Sequence, residues 1–147
     1  MSHVGRYKVQ NPRKYMGVGQ NPVYKSSLEL RLFHWMDINN RVKRWGYEII
    51  QIPYFFQLDQ KIHKYFMDIY AEIITKDGSI QRYLAEVKSK SDTKPPVKPT
   101  TRNRRSTRNY RKSLYTYIKN MNKWKAAQQF AKQAGMKFII VDESTLF

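Results

Sequence analysis

The segment KYFMDIYAEIITKDGSIQRYLAEVK (residues 64–88) contains two strand patterns joined by a short turn. Residues 64–74 and 80–88 are rich in aromatic and β-branched side chains, which favour strands. Lys76, Asp77 and Gly78 between them are typical of a tight turn. The segment therefore predicts an antiparallel hairpin, to which the neighbouring elements must attach.

The length of this turn decides whether two acidic residues of the hairpin meet. A two-residue turn would place Asp68 opposite Val87 and would send Glu86 to the other face of the sheet. A three-residue turn ending at Gly78 would place Asp68 directly opposite Glu86. Because glycine readily adopts the left-handed conformation that the last position of such a turn requires, we predict the second register.

In that register the hairpin carries a constellation suited to metal-assisted hydrolysis. Glu86 and Lys88 share a face, since alternate residues of a strand point the same way. Two facing carboxylates stay ionised only if a cation lies between them, and oxygen ligands suit Mg²⁺ or Mn²⁺. Such an ion activates a phosphodiester and the attacking water. Lys88 would orient that water or stabilise charge on the phosphate.

Glu29 is a further candidate from the preceding helix, which the apolar spacing predicts from Ser26 to about residues 39–40. Glu29 could add a carboxylate to the metal site. The pattern Ser26-Ser27-Leu28-Glu29 is also a capping box, in which the glutamate closes the helix N-terminus. The two roles do not exclude each other.

The remaining patterns place one mixed sheet among helices. Residues 47–55 form a first strand, residues 113–134 a long helix ended by Gly135, and residues 137–142 a short apolar strand that we expect to be central. The order is α-β-β-β-α-β, an α/β (α+β) fold. Residues 1–25 are expected to form an irregular basic arm, and residues 26–147 a single domain.

The charge balance indicates a polyanionic partner. The chain of 147 residues has 28 Lys and Arg against 11 Asp and Glu, and a net charge of +17. Nucleic acid is the commonest partner of such a protein. The absence of Cys excludes disulfides, cysteine-ligated zinc and thiol nucleophiles. No apolar run is long enough for a membrane span or a signal peptide, so we expect a soluble intracellular protein without membrane partners.

Residues 89–112 are interpreted as a basic, proline-containing mobile loop that clamps DNA. The cations would neutralise backbone phosphates, and the tyrosine would stack on a base or pack on a sugar. Lys123 of the long helix is expected to approach the metal site. Contact with another assembly protein is the alternative role for the loop. The candidate DNA-binding residues are Arg102, Arg104, Arg105, Arg108, Tyr110, Arg111, Lys112 and Lys123.

The constellation resembles the PD-(D/E)xK nuclease superfamily, which has a restriction-endonuclease-like α-β-β-β-α-β core. The resemblance implies that Asp68, Glu86, Lys88 and Glu29 are the catalytic residues, and that the backbone carbonyl of Val87 also binds the metal. Met67 stands where the superfamily motif has proline, and Ser89 follows Lys88 where proline is expected. Neither position is a candidate ligand.

A narrower resemblance is to the head completion nucleases of T-even-type tailed phages. It implies a nuclease that cuts double-stranded DNA with little sequence specificity during late head assembly and head–tail joining, in the host cytoplasm, beside head, portal or neck proteins. The blocks that carry it are YKSSLE (24–29), IPYF (52–55), KYFMDIY (64–70), AEVKSKSDTKPPVKP (85–99), NKWKAAQ (122–128) and KFIIVDESTL (137–146).

Two other functions remain compatible with the sequence. The chain could be a non-catalytic head or neck assembly protein that holds DNA with a nuclease-like fold. It could also be a basic RNA-binding module of ribosomal type, which would present aromatic residues on an open sheet and need no metal.

Overall fold

A four-stranded mixed sheet with a helix packed on each face organises the protein. The computed structural model describes residues 4–17, 19 and 21–146. A 3₁₀ turn, Lys90–Thr93, follows the third long strand. The other elements are β1 (Gly5–Arg6), β2 (Val23–Tyr24), α1 (Ser27–Ile38), β3 (Val42–Phe56), β4 (Lys61–Ile74), β5 (Ile80–Val87), α2 (Arg104–Gln133), β6 (Lys137–Val141) and α3 (Glu143–Leu146).

The strand order in the main sheet is β3-β4-β5-β6. The β3–β4 and β4–β5 pairs are antiparallel, whereas β5 and β6 run parallel because α2 carries the chain from one to the other. The predicted α-β-β-β-α-β order and the mixed sheet between helices are therefore confirmed.

The predicted register of the β4–β5 hairpin is also confirmed. The ladder runs from Ile74 opposite Ile80 to Ile69 opposite Ala85, which corresponds to a three-residue turn. Gly78 ends that turn with a φ of 85°. The next pair in this register is Asp68 and Glu86, so the turn brings the two carboxylates to the same face.

The core consists of two clusters, one on each side of the sheet. Phe33 and Met36 of α1 pack against Trp45, which is fully buried. On the other side, Trp124 of α2 packs in a cluster with Leu84 of β5. Both helices are therefore fixed to the strands that carry the acidic residues.

The predicted loop over residues 89–112 is wrong in its second half, because α2 begins at Arg104. Asn103 caps the helix by accepting the Ser106 N–H at 2.8 Å, while the Ser106 side chain accepts the Asn103 N–H. The exposed, charged first turns lack apolar periodicity, so the sequence gives no sign that the helix begins at this capping box. The helix ends as predicted, with Gly135 at a φ of 72°.

Two strand predictions also need correction. Within the part of the chain that the structure describes, β6 lies at the edge of the sheet and not at its centre. Its apolar composition reflects packing on both sides, since Phe138 and Ile140 pack on the cluster of α2 and Val141 is buried in the cluster of α1. β3 begins at Val42, five residues earlier than predicted, because pairing with the end of β4 overrides the weak strand propensity of its charged start.

The N-terminal arm is packed against the domain over its described residues. Its residues Gly5–Arg6 pair with Val23–Tyr24 in a small antiparallel sheet. Asp37 of α1 is fully buried and accepts hydrogen bonds from the Tyr7 hydroxyl at 2.6 Å and from the Gln10 N–H at 2.7 Å. Residues 1–3, 18 and 20 of the predicted arm lie outside the described residues.

The described helices include none long and apolar enough to cross a bilayer.

Candidate active site

Asp68 and Glu86 occupy the point where the β4–β5 ladder ends. The Oδ2 atom of Asp68 accepts the Val87 N–H at 2.9 Å, so a side chain takes the place of a backbone acceptor there. Glu86 is 6% exposed and accepts a hydrogen bond from the buried Tyr65 hydroxyl. Both carboxylates are therefore held in fixed orientations by groups of the sheet itself.

The surroundings of these two carboxyl groups oppose their ionisation. Burial, followed by the negative charge of Glu86, raises the pKa of Asp68 above its ordinary value. Burial also raises the pKa of Glu86, although the Tyr65 hydrogen bond and the charge of Lys88 act in the opposite direction. A pair with raised pKa values attracts a cation, because a positive charge restores the ionised form of both members.

Glu29 lies in the same cleft, and its carboxylate binds the backbone N–H of the residue before the Ser26 cap, so the predicted capping box forms in one direction only. Its Oε1 accepts the Lys25 N–H at 2.6 Å and its Oε2 accepts the Tyr47 hydroxyl at 3.0 Å. The Glu29 N–H in turn donates to the Ser26 hydroxyl oxygen at 3.1 Å. Glu29 is near enough to Asp68 for its charge to contribute to the raised pKa of that residue.

A β-bulge in β3 lies directly across from Asp68. Tyr47 pairs with Ile69 and Ile50 pairs with Met67, so Glu48 and Ile49 together face the single residue Asp68. Glu48 has a φ of 54°, a left-handed conformation that is uncommon for a residue other than glycine. The bulge turns Glu48 into the wall of the cleft, and bulges beside active sites re-aim side chains in this way.

Four lysines surround the carboxylates in a cleft of about 440 Å³. Lys123 of α2 lies 5.2 Å from the centre of the Tyr65 ring, and its burial lowers its pKa. Lys88 follows β5 and donates its backbone N–H to the Val141 carbonyl at 3.0 Å. The four are Lys25, Lys64, Lys88 and Lys123.

The donor set fits a hard divalent cation that keeps water or substrate ligands. Among the described residues, no three Asp, Glu or His side chains converge closely enough to hold a metal ion by themselves. Of the three carboxylates that the sequence proposes as ligands, Asp68 and Glu86 are the facing pair, while the Glu29 carboxylate accepts the Lys25 N–H and the Tyr47 hydroxyl. Because the N–H and C=O of one strand residue project to the same side, the Val87 carbonyl points toward β4, as its N–H does.

The predicted DNA-binding cations lie on the first turns of α2 and in the segment before it. Arg102, Arg104 and Arg108 line an open groove of about 680 Å³ together with Arg111 and Lys112. Arg105 is exposed outside that groove, and Tyr110 is half-buried on the same helix. The helix thus presents these cations on a rigid element.

Several residues of the cleft could not be predicted from the sequence. Tyr47, Tyr65 and Glu48 are polar side chains within strands, and nothing in their spacing marks them as functional. Lys25 and Lys64 are two of many lysines in a basic chain.

The comparisons with known proteins agree with this geometry. The model of the family described as "TnsA-like endonuclease N terminal" matches residues 39–143, which include β3, β4, β5 and α2. The chain belongs to the TnsA-like endonuclease family. The nuclease is also 38% identical over 146 residues to a protein of Enterobacteria phage T4 named "Head completion nuclease". That alignment covers 99% of this chain and 95% of the relative, and it confirms the resemblance inferred from the sequence blocks.

Proposed function

We propose that this nuclease hydrolyses phosphodiester bonds of double-stranded DNA with Mg²⁺ or Mn²⁺ held by Asp68 and Glu86. The observation that carries the proposal is the placement of these two carboxylates opposite each other, in a cleft that also contains Lys88. The geometry supports a hydrolytic role because paired buried carboxylates without a cation would only destabilise the fold.

The residues of the cleft have distinct roles in this proposal. The Val87 N–H and the Tyr65 hydroxyl orient the Asp68 and Glu86 carboxylates, which would bind the ion with the Val87 carbonyl. The bound ion supplies Lewis-acid activation of the phosphodiester and of the attacking water. Lys88 orients that water and neutralises charge that develops on the phosphate. Glu29 adds negative charge from its capped position.

DNA binding is proposed to rest on phosphate contacts from the start of α2. The cations there are exposed and unaccompanied by acidic residues in the first turn of the helix. They would bind the DNA backbone at any sequence, because phosphates carry no base information. Tyr110 would pack on a sugar or a base, and Lys123 would meet the strand inside the cleft.

We further propose that the nuclease acts in phage head completion and head–tail joining in the host cytoplasm, in contact with a head, portal or neck protein. The name of its T4 relative supports this role. The outer face of the β3–β4 hairpin supplies a protein-docking surface, since Phe55, Ile62 and Phe66 are 49%, 68% and 51% exposed. Phe55 and Ile62 lie directly opposite each other and so form one apolar patch.

The direct test of the proposed activity uses plasmid and linear DNA incubated with Mg²⁺ or with EDTA. We expect cleavage with Mg²⁺ that EDTA abolishes, and loss of cleavage in Glu86→Ala and Lys88→Ala. Cleavage that survives both EDTA and the substitutions would reject the mechanism. DNA binding without any metal-dependent cutting would instead favour a non-catalytic assembly protein.

The docking surface has a separate test in phage complementation. Phe55→Ser combined with Ile62→Ser should leave DNA cleavage intact and prevent the assembly of infectious particles. Normal complementation by this variant would remove the hairpin face from the interface with the head.

A further inference from the structure

A second cavity, of about 690 Å³, lies beside the active-site cleft. One wall is the segment after β5, including Pro95, Pro96 and Val97, and the other is a face of α2. The helix residues in the wall recur at intervals of three or four and therefore share one side of α2. They are Lys112, Ser113, Thr116, Tyr117 and Asn120.

Asn120 is the feature of this cavity that calls for a ligand. It is 7% exposed, and within the described residues its side-chain amide forms no hydrogen bond. Its carboxamide lines the cavity, so a group that enters the cavity can accept from its NH₂.

The lining of this second cavity is positively charged, so it favours an anionic ligand. Lys88, Lys94 and Lys112 contribute three positive charges, against one acidic side chain, that of Asp92. The Asp92 carboxylate is engaged by the Ser89 hydroxyl at 2.7 Å. Ser113, Thr116 and Tyr117 add hydroxyl groups that form no side-chain hydrogen bond with other described residues.

The cavity also connects two regions that the proposed function assigns to DNA. Lys88 lines both this cavity and the cleft of Asp68 and Glu86. Lys112 lines both this cavity and the arginine groove at the start of α2. A DNA strand that passes from the groove to the cleft therefore crosses the cavity between these two lysines.

We propose that this cavity binds a backbone phosphate of the DNA strand being cut, adjacent to the scissile phosphate, with Asn120 and Lys112 as donors. The proposal rests on the proposed function for the identity of the strand. A phosphate diester supplies acceptor oxygens for the N–H and O–H donors that the amide, ammonium and hydroxyl groups of the wall present. Its binding would add to the affinity for the strand that is cut.

The test compares two substitutions of Asn120, one that adds a negative charge and one that is neutral. Asn120→Asp places a carboxylate against the phosphate, and Asn120→Leu removes the donor while keeping the volume. In cleavage assays we expect both to raise KM by about tenfold, with kcat within about twofold of wild type. Gln128→Glu, an amide-to-carboxylate change at an exposed position of the same helix, is the matched control and should change KM little.

Stability separates a ligand-binding role from a structural one. Asn120→Leu should melt at or above the temperature of the wild-type protein, because the amide that it removes forms no hydrogen bond with other described residues, while its DNA affinity falls. A loss of stability that accounts for the loss of affinity would assign Asn120 to the core and overturn the proposal.

The side-chain amide resonances of Asn120 give a readout that is independent of cleavage. In the Glu86→Gln background, a short DNA duplex should shift these resonances, and orthophosphate should do so only weakly. A response to orthophosphate with none to DNA would identify a free-anion site and overturn the assignment to the strand. If DNA shifts the Asn120 resonances but the wild-type protein cleaves no DNA with Mg²⁺, the phosphate site is supported and the proposed nuclease activity is rejected.

Discussion

Asp68 accepts the backbone N–H of Val87 on the neighbouring strand at 2.9 Å, so the carboxylate is tied to the residue that follows Glu86. This hydrogen bond fixes Asp68 without using a second side chain. It also shows which side of β5 the Val87 peptide presents to the cleft. The position of one carboxylate relative to the other is therefore a property of the sheet and is set when the hairpin forms.

Conversion of either carboxylate to its amide should abolish cleavage and leave the fold intact. Asp68→Asn and Glu86→Gln keep an oxygen for Val87 and Tyr65 but lose the charge that binds the cation. We expect cleavage to fall by at least about 100-fold. In EDTA the free energy of unfolding should rise by about 1–2 kcal/mol, since the mutual repulsion is removed. Plasmid nicking and chemical denaturation measure the two effects.

Glu72→Gln is the matched control for these substitutions. Glu72 of β4 is buried like Glu86, but it binds Arg44 at 3.0 Å and the Tyr70 hydroxyl at 2.7 Å. Its amide variant should cleave DNA normally and melt at a lower temperature. If the Asp68 and Glu86 amides behaved like the Glu72 amide, their pairing would be structural.

The stability of the metal-free protein should depend on the protonation of Asp68. Its pKa is raised in the folded state, so the folded protein retains a proton that the unfolded chain releases above about pH 4. The stabilisation of the folded protein by the protonated Asp68 carboxyl is complete below that pH and is lost as the pH rises through the raised pKa of Asp68. In EDTA, wild-type protein should therefore lose stability relative to Asp68→Asn between about pH 5 and about pH 8.

Added Mg²⁺ should remove this pH dependence at the alkaline end, because the ion stabilises the ionised pair. Thermal unfolding at each pH, with EDTA and with Mg²⁺, gives the measurement. Parallel curves for the wild-type protein and Asp68→Asn in EDTA would contradict the raised pKa.

Removal of two arginines from the first turn of α2 should weaken DNA binding and strengthen the helix. With Arg104→Ala and Arg105→Ala combined, the slope of log affinity against log salt should shrink by about one unit for each phosphate that is no longer neutralised. The helix itself should gain a few tenths of a kcal/mol, because cations oppose the helix dipole at its N-terminus.

The control removes two exposed cations from the other half of the same helix. Lys125→Ala with Lys132→Ala should leave the salt slope unchanged. Fluorescence anisotropy with a short duplex over a series of salt concentrations compares the two double variants. If both double variants had the same slope of log affinity against log salt, the start of α2 would not contact DNA.

The two roles of Glu29 can be separated by comparison with Ser26. Ser26→Ala removes the hydroxyl that accepts the Glu29 N–H, costs about 1 kcal/mol of stability and should leave the Mg²⁺ concentration needed for cleavage unchanged. Glu29→Gln should raise that Mg²⁺ concentration by about tenfold, since it removes a negative charge from the cleft. Identical Mg²⁺ titrations for the two variants would restrict Glu29 to capping.

The N-terminal arm should detach when Asp37 loses its charge. Burial raises the pKa of Asp37, but hydrogen bonds from Tyr7, Gln10 and Asn11 outweigh it and lower the pKa below its ordinary value. The ionised Asp37 carboxylate therefore stabilises the folded protein above about pH 4, and this stabilisation is lost as the pH falls through the lowered pKa of Asp37. Tyr7→Phe should cost about 1–2 kcal/mol at neutral pH.

Chemical denaturation at neutral and acidic pH measures this effect. The difference in the free energy of unfolding between wild type and Tyr7→Phe should become smaller in acid, because protonated Asp37 accepts a weaker hydrogen bond from the Tyr7 hydroxyl. If the difference in the free energy of unfolding stayed constant across the pH range, the stabilisation by the Tyr7 hydroxyl would not depend on the charge of Asp37.

Local rules in the sequence were sufficient to predict the hairpin that carries the site. The alternation of β4 and β5 sets which residues share a face, and Gly78 sets the register that places Asp68 opposite Glu86. Both are consequences of backbone geometry over a few residues. The element order followed from the same patterns, as did the C-terminal stop of α2 at Gly135.

Long-range packing decided the rest, and no local pattern encodes it. The start of α2 at Arg104 depends on a cap within a charged segment, and the bulge at Glu48 depends on the partner strand. Lys123 reaches Tyr65 and Asn120 reaches the second cavity only because α2 crosses the sheet. The sequence by itself thus determined the pair of carboxylates and the charge that attracts DNA. The sequence also predicted Lys88 and Lys123 beside the pair. The tertiary structure alone brought Lys25 and Lys64 there, because residues distant in the chain meet only when the two cores exclude water and fix the helices on the sheet.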